Sequence, residues 1–206
     1  LSIQTDPRLH RDAAALADQA EEFSKLAKNI IVKIPATKTG IEAMEEAAYR
    51  GVSINATLSF TVPQAVAVGA ALERALERRA ADGLPEQEFG HVVTIMGGRL
   101  DDWLKKWTTA NRILVTPGIL EWAGVAALKR AHAVFQERGY RSRVLSAAFR
   151  NQLQWSELVG GDIVVSPPFD WQARINENNL PVSERIHVPV DAAILEELGT
   201  LSEFRR

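Results

Sequence analysis

The sequence predicts an α/β fold with parallel strands, and three observations support this prediction. Short runs rich in Val and Ile alternate with longer segments of helical periodicity. The segments between the runs are long enough for right-handed crossovers between parallel strands. The runs are continuously apolar, as expected for strands that helices cover on a buried sheet. A length of 206 residues suits one domain or at most two small ones.

Six segments have the length and composition of strands. Each is a short, largely apolar run bounded by polar residues or glycine. The predicted strands lie near Leu1–Gln4, Ile30–Ile34, Val52–Asn55, His91–Ile95, Arg143–Ala147 and Ile163–Val165.

Helices fill most of the gaps, and some carry recognisable start signals. Thr39 followed by Glu42 forms a capping box, and Thr61 followed by Gln64 forms a second one. A polar loop is expected from Asn176 to the last helix. The predicted helices cover Asp12–Ala27, Thr39–Arg50, Thr61–Ala81, Leu100–Thr108, Gly118–Arg138, Gln152–Val159 and Asp191–Leu198.

Two architectures fit this order, a doubly wound open sheet and a (β/α)8 barrel. The open sheet would place a glycine-rich phosphate turn after its first strand. Here Gly97-Gly98 follows the fourth strand, and no G-x-G-x-x-G occurs. We therefore favour the barrel, although six strands fall short of its eight. Residues 1–175 are predicted to form the barrel core, and residues 176–206 a loop and helix that pack on it.

The composition excludes several classes of function. The formal net charge is −2, from 24 basic and 26 acidic residues, so no broad basic surface is available for nucleic acid or an anionic membrane. The chain has no cysteine, which excludes disulfides and thiolate metal sites. No apolar run approaches the roughly 20 residues of a membrane span. We expect a cytoplasmic enzyme or binding protein.

Lys33 lies within an apolar strand, in Asn29-Ile30-Ile31-Val32-Lys33-Ile34-Pro35. A charged, unpaired lysine in such a place costs several kcal/mol. A neutral lysine amine is a nucleophile that forms Schiff bases with carbonyl compounds. The alternative is a structural lysine that reaches solvent at a strand end or pairs with a carboxylate.

Polar residues also stand at the ends of other predicted strands. Gln4 ends the first strand, Asn55 and Thr57 close the third, and Thr94 lies near the end of the fourth. In a barrel of parallel strands these side chains are on the same side, where active sites lie. Taken singly they are ordinary turn residues. Together they suit a hydroxylated substrate.

Two arginines follow strands beside small residues. Arg99 comes after Gly97-Gly98, and Arg150 comes after Ala147-Ala148-Phe149. Such arginines suit bidentate recognition of phosphate, although each alone is consistent with a surface ion pair. Asp101 and Asp102 point apart on a helix, so we interpret them as charge at a helix start.

Five ordered motifs carry a resemblance to a known family. They are Leu1-Ser2-Ile3-Gln4-Thr5-Asp6-Pro7-Arg8-Leu9, Val32-Lys33-Ile34-Pro35-Ala36-Thr37, Asn55-Ala56-Thr57-Leu58-Ser59-Phe60, Gly98-Arg99-Leu100-Asp101-Asp102-Trp103 and Ala148-Phe149-Arg150-Asn151. From Leu1 to about Asp170 the chain resembles the transaldolase family of Schiff-base enzymes on (β/α)8 barrels. The motifs resemble the third to the seventh barrel strands and the loops that follow them.

The resemblance implies transfer of a dihydroxyacetone unit from a ketose phosphate to an aldose phosphate in the pentose phosphate pathway. It makes Lys33 the nucleophile and Thr57 the holder of a catalytic water, with Gln4 beside that water. It implies that Asn55 and Thr94 bind donor hydroxyls. The same resemblance assigns the phosphate to Arg99 and Arg150, and it implies neither a cofactor nor a metal.

The departures from the family leave alternatives open. Gln4 stands where most transaldolases have a proton-accepting glutamate, whereas related fructose-6-phosphate aldolases also have glutamine there. Thr94 replaces a usual serine. The first visible strand resembles the third of the barrel, so the family's first-strand aspartate base has no counterpart and two βα units are expected to be missing. An aldolase, or a sugar-phosphate-binding homologue or fragment without turnover, is the alternative. We also expect either a homodimer or a second chain that supplies the missing strands.

Overall fold

A computed structural model describes residues 1–85 and 90–205 and has an α/β architecture. Within this part of the chain, six strands form one sheet in the order β1-β2-β3-β4-β5-β6. The predicted parallel α/β fold is therefore confirmed, and the sheet is open, consistent with part of a (β/α)8 barrel. The strands are β1 (Ser2–Gln4), β2 (Ile31–Pro35), β3 (Ile54–Ser59), β4 (Val92–Ile95), β5 (Arg143–Ser146) and β6 (Ile163–Val165).

Helices connect successive strands and continue beyond the last one. Within the described residues, no helix combines the length and the apolar composition of a membrane span. Short 3-10 turns cover Pro7–Leu9 and Ile119–Trp122. The α-helices are α1 (Ala13–Ser24), α2 (Lys38–Tyr49), α3 (Val62–Ala81), α4 (Gly97–Ala110), α5 (Ala123–Arg138), α6 (Leu153–Ser156), α7 (Phe169–Glu177), α8 (Ala192–Thr200) and α9 (Ser202–Arg205).

Strand β3 is displaced toward its carboxyl end relative to the prediction. It continues past Asn55 to Ser59, since Ala36 donates its N–H to the Thr57 carbonyl at 2.6 Å and extends the ladder. Asn55 and Thr57 resemble turn residues in sequence. In the strand their side chains alternate with Ile54 and Ala56, which are fully buried.

The predicted capping box of α2 is wrong. Thr37, and not Thr39, caps the helix, because the Thr37 hydroxyl accepts the Gly40 N–H at 3.0 Å. Gly40 is required there, since a Cβ atom would lie 1.9 Å from the Pro35 carbonyl oxygen. The end of β2 and the first turn of α2 are therefore in direct backbone contact.

Other differences concern the second half of the chain. Helix α5 begins at Ala123 after a 3-10 turn, and α6 has only four residues where a longer helix is predicted. Helix α7 is unpredicted and includes Asn176 and Glu177, which we assign to a loop. Its start follows two prolines and has Asp170 in the first turn, a combination that favours helix initiation.

One compact unit consists of Leu1–Ser59, Pro63–Thr94 and Val134–Val144. Helix α1 packs against α2 and β2, and α2 packs against β2 and β3. Alternate residues of β2, Val32 and Ile34, are completely buried. This apolar face fixes which side of the strand carries the remaining side chains.

The second compact unit consists of Phe60–Val62, Ile95–Ala133 and the chain from Leu145 onward. A buried ion pair joins Lys129 to Glu157 at 2.8 Å, and the same ammonium donates to the carbonyls of Arg185 and Val188. One apolar cluster of this unit is formed by Leu104, Ile119, Leu120, Ala123, Leu198 and Leu201.

We expect Thr37→Ala to lower the free energy of unfolding by about 1 kcal/mol, because the Gly40 N–H loses its acceptor. The matched control is Thr39→Ala, which removes the same atoms two residues away. It should change stability by less than about 0.5 kcal/mol. Urea unfolding of both variants measures the difference, and a larger loss for Thr39→Ala would contradict the assigned cap.

His91 holds the start of β3 from a buried position in the first unit. Its Nδ1 accepts the Ile54 N–H at 3.1 Å, which requires a deprotonated nitrogen. Burial, reinforced by the charges of Arg141 and Arg79, lowers the pKa of His91 from 6.5 to about 4. The folded state therefore binds a proton more weakly than the unfolded state.

Because the pKa of His91 is depressed on folding, its contribution to stability is complete above pH 6.5 and is lost as the pH falls toward 4. The shift corresponds to about 3 kcal/mol. We expect the unfolding free energy to fall by that much more in wild type than in His91→Gln between about pH 7.5 and about pH 4. Equal pH slopes in urea unfolding would show that His91 does not carry this effect.

Candidate active site

The parallel register places polar side chains in a row across three strands. Gln4 of β1 is opposite Lys33 of β2, and Lys33 is opposite Asn55 of β3. Pro35 and Thr57 form the next pair toward the carboxyl ends of the strands. Paired residues of parallel strands share a face of the sheet. Gln4, Lys33, Asn55 and Thr57 thus lie on the same face of the sheet.

Lys33 is half-buried, where the sequence predicts a fully buried position. It alternates with Val32 and Ile34, which occupy the apolar face of β2. Within residues 1–85 and 90–205 its ammonium makes no hydrogen bond and has no carboxylate within 4.0 Å. The structural alternative of a paired lysine is therefore not found in this part of the chain, and the amine is available to a ligand.

The backbone of Lys33 is held from β1. The Gln4 side-chain amide donates to the Lys33 carbonyl at 3.0 Å. The Thr5 hydroxyl, which is buried, donates to the same carbonyl at 3.3 Å. The sequence analysis missed Thr5, although its place directly after Gln4 at a strand end is the same signal that selected the other residues.

Asn55 is oriented from both sides. Its Oδ1 accepts a hydrogen bond from the Thr94 hydroxyl at 2.7 Å, and its Nδ2 donates to the Ser2 hydroxyl at 3.0 Å. The structure thus brings the predicted residues Asn55 and Thr94 into direct contact and adds Ser2, which the sequence analysis missed. These bonds fix which end of the amide donates and which end accepts.

Thr57 is buried, and its hydroxyl makes no hydrogen bond within the described chain. The next residue, Leu58, has a φ of 53°, a left-handed conformation that is uncommon for leucine. Gln64 ties this turn to the end of β2 through weak bonds of 3.4 Å to the Leu58 and Ala36 carbonyls. The Thr57 hydroxyl is therefore free to bind water or substrate.

In the second unit, Asp102 brings the two predicted arginines together. Arg150 donates from Nε to both Asp102 oxygens and is 2.8 Å from Oδ2 through its terminal nitrogen. Arg99 lies 4.0 Å from the same oxygen. Both side chains are partly exposed, with relative exposures of 58% for Arg99 and 35% for Arg150, and Nη1 of Arg150 also donates to the Phe149 carbonyl at 2.9 Å. The pair can accept an anion.

Asp101 is completely buried, so our interpretation of it as helix-start charge is wrong. It accepts hydrogen bonds from the Gly124 N–H at 2.8 Å, from Gln154 at 2.8 Å and from Asn151 at 3.3 Å. Burial raises the pKa of Asp101 to about 7, and the Gly124 N–H opposes that rise. No signal in the sequence separates Asp101 from Asp102, because their partners are distant in the chain.

The turn that carries Arg150 is packed tightly against the start of α4. A Cβ atom on Gly98 would lie 1.8 Å from the Ala148 carbonyl oxygen. Ala148 itself has a φ of 62°. Position 98 therefore requires glycine. Because glycine has no side chain, the two loops that carry Arg99 and Arg150 can come into close contact there.

Comparison with known proteins identifies the family of the chain. A family model described as transaldolase/fructose-6-phosphate aldolase matches residues 1–200. The chain belongs to this family. It is also 26% identical, over 228 aligned residues, to the transaldolase of Thiobacillus denitrificans (strain ATCC 25259 / T1). That alignment covers 100% of this chain and 62% of the relative, so the chain spans less than two thirds of the relative's length.

For this member of the transaldolase/fructose-6-phosphate aldolase family we expect Gly98→Ala to lower stability by about 2 kcal/mol, because the added methyl group meets the Ala148 carbonyl. Gly199→Ala is the matched control. Gly199 lies in α8 with open space around it, so alanine should raise stability by up to about 1 kcal/mol. Thermal unfolding measures both changes, and a neutral Gly98→Ala would contradict the close contact.

Proposed function

We propose that the chain carries transaldolase-type chemistry, the transfer of a dihydroxyacetone unit from a ketose phosphate to an aldose phosphate, with Lys33 as the nucleophile. The observation that supports this most directly is the unpaired amine of Lys33 at the centre of a strand, among hydroxyl and amide side chains that suit a polyol. Family membership supports an aldolase or transferase class of reaction.

The chemistry begins when the lysine Nζ attacks the ketone carbon of the donor. Loss of water from the addition product gives an iminium ion. The bond between the α- and β-carbons of the iminium ion then breaks, its electron pair enters the iminium group, and the hydroxyl on the β-carbon gives its proton to solvent water as that carbon becomes the aldehyde. The products are an enamine on Lys33 and a free aldose phosphate. Addition of the enamine to an acceptor aldehyde followed by hydrolysis reverses these steps.

The side chains around Lys33 have separate roles in this proposal. Asn55 and Thr94 bind hydroxyls of the dihydroxyacetone unit. The hydrogen bond from the Thr94 hydroxyl to Oδ1 of Asn55 fixes the orientation of the Asn55 amide. Thr57, with its free hydroxyl, binds the water that leaves and returns at the imine. Gln4 orients that water but cannot accept a proton from it, because an amide is not basic.

We assign the phosphate group to Arg99 and Arg150. A guanidinium group presents its N–H donors as a planar fork that matches two phosphate oxygens. Asp102 accepts from Nε and from one terminal nitrogen of Arg150, and the other terminal nitrogen donates to the Phe149 carbonyl at 2.9 Å, so at most one N–H group on each terminal nitrogen remains for the ligand.

The alternative is an aldolase that releases free dihydroxyacetone, and Gln4 favours it. A carboxylate at that position would assist proton transfer, whereas an amide only donates and accepts hydrogen bonds. Product analysis with and without an acceptor aldose phosphate distinguishes the two reactions. Release of free dihydroxyacetone that an acceptor does not suppress would favour the aldolase.

Borohydride trapping tests the nucleophile. After reduction in the presence of dihydroxyacetone, we expect one covalent adduct on Lys33 by peptide mass spectrometry, and its complete loss in Lys33→Arg, which keeps the charge but cannot form the imine. The matched control is Lys38→Arg. Lys38 is exposed at the start of α2, so its replacement should leave the adduct unchanged. A wild-type chain without an adduct, or an equal adduct in Lys33→Arg, would refute this role.

A further inference from the structure

A chain of hydrogen bonds connects the buried carboxylate of Asp101 to the backbone of Arg150. The Arg150 N–H donates to Oε1 of Gln154 at 2.6 Å, and Nε2 of Gln154 donates to Oδ2 of Asp101 at 2.8 Å. Gln154 and Asp101 are both completely buried. The other carboxylate oxygen accepts the Gly124 N–H at 2.8 Å, so Asp101 is anchored to the start of α5.

The donor and the acceptor are fixed in each of these hydrogen bonds. Because the Arg150 N–H requires an acceptor, Gln154 must present its oxygen there and turn its NH₂ group toward Asp101. Position 101 must then supply two acceptor oxygens, one for Gln154 and one for Gly124. A carboxylate satisfies both donors, whereas an amide has a single oxygen and would leave one buried donor unpaired.

We propose that Asp101 is a positioning residue for phosphate recognition, which acts through Gln154 to hold the turn that carries Arg150. This inference rests on the proposed function, in which Arg150 binds the phosphate. The turn needs such support because Ala148 is in a left-handed conformation, which is costly for residues other than glycine. Asp102 holds the guanidinium end of Arg150, and Asp101 holds its backbone end.

Arg150 is held at both ends by neighbouring aspartates. Its backbone is linked through Gln154 to Asp101, and its side chain is paired with Asp102. Asp101 and Asp102 are consecutive residues of α4, so their side chains point in different directions from the helix. Asp101 points into the unit, and Asp102 faces the guanidinium groups. Asn151 adds a weaker bond to Asp101 at 3.3 Å and accepts the N–H of Leu153 at the start of α6. The segment from Arg150 to Leu153 is therefore tied to one carboxylate.

The test measures the dissociation constant of an alditol phosphate by calorimetry. This ligand has no carbonyl group and cannot form an imine, so its binding does not require Schiff-base formation at Lys33. We expect Asp101→Asn and Gln154→Met each to raise the dissociation constant about tenfold. Borohydride trapping of dihydroxyacetone, which lacks a phosphate, should stay at the wild-type level in both variants.

A reciprocal exchange provides the rescue. In Asp101→Asn/Gln154→Glu, the glutamate accepts from both the Arg150 N–H and the asparagine NH₂ group, and the asparagine oxygen accepts the Gly124 N–H. The double variant should therefore recover the affinity for the alditol phosphate to within about twofold of wild type. If Asp101→Asn alone does not fold, the double variant and Gln154→Met decide the question.

Glu157→Gln is the matched control for stability. It makes the same carboxylate-to-amide change at a buried ion pair of the same unit, with Lys129 as the partner. It should lower the melting temperature and leave the dissociation constant within about twofold of wild type.

The outcomes separate this inference from the proposed function. If Arg150→Ala weakens binding of the alditol phosphate but folded Asp101→Asn and Gln154→Met do not, the positioning role is overturned and the phosphate assignment stands. If Arg150→Ala binds normally, the phosphate assignment fails and the positioning role fails with it. Absence of wild-type trapping contradicts the Schiff base alone.

Discussion

The parallel register of β1, β2 and β3 is the constraint on which the candidate site depends. It aligns Gln4, Lys33 and Asn55 across neighbouring strands, and it is set by backbone bonds such as Val32 N–H to the Ser53 carbonyl at 2.9 Å. Because side chains alternate along a strand, a slip of one residue would turn Lys33 onto the face where Val32 and Ile34 are buried. Packing of the apolar face therefore determines the position of the amine on the other face.

The polar groups on this face differ in how their hydrogen-bonding capacity is used. Asn55, Thr94 and Gln4 bond to neighbouring protein groups, which fixes their orientation before any ligand arrives. Lys33 and Thr57 have no such partners in the described chain. Neither the Lys33 ammonium nor the Thr57 hydroxyl is among the buried unpartnered atoms of the described residues, so both stay accessible to water or to a ligand. The division is the one expected of a preorganised site with two groups left for chemistry or for water.

The second unit uses two consecutive aspartates for different physical purposes. Asp102 lies at the surface between two guanidinium groups, where a carboxylate is well solvated. Asp101 is buried, and its burial would be unfavourable without donors from Gly124, Gln154 and Asn151. The identical chemical group thus orients an arginine side chain in one case and a backbone turn in the other.

The sequence by itself determined the alternation of strands and helices, the parallel sheet and the strand-end residues, because apolar periodicity and helix caps act over a few residues. It located Lys33 as a lysine within an apolar run, and Asn55 and Thr94 by their place at strand ends. The structure moved the predicted cap of α2 from Thr39 to Thr37, whose bond to the Gly40 N–H is local. Only the tertiary structure decided that Ser2 and Thr5 support the site and that Asp101 is buried. Those features depend on partners far away in the chain, such as Gln154, which lies 53 residues beyond Asp101. Adjacent aspartates are alike in sequence, and only the packing around each one distinguishes them.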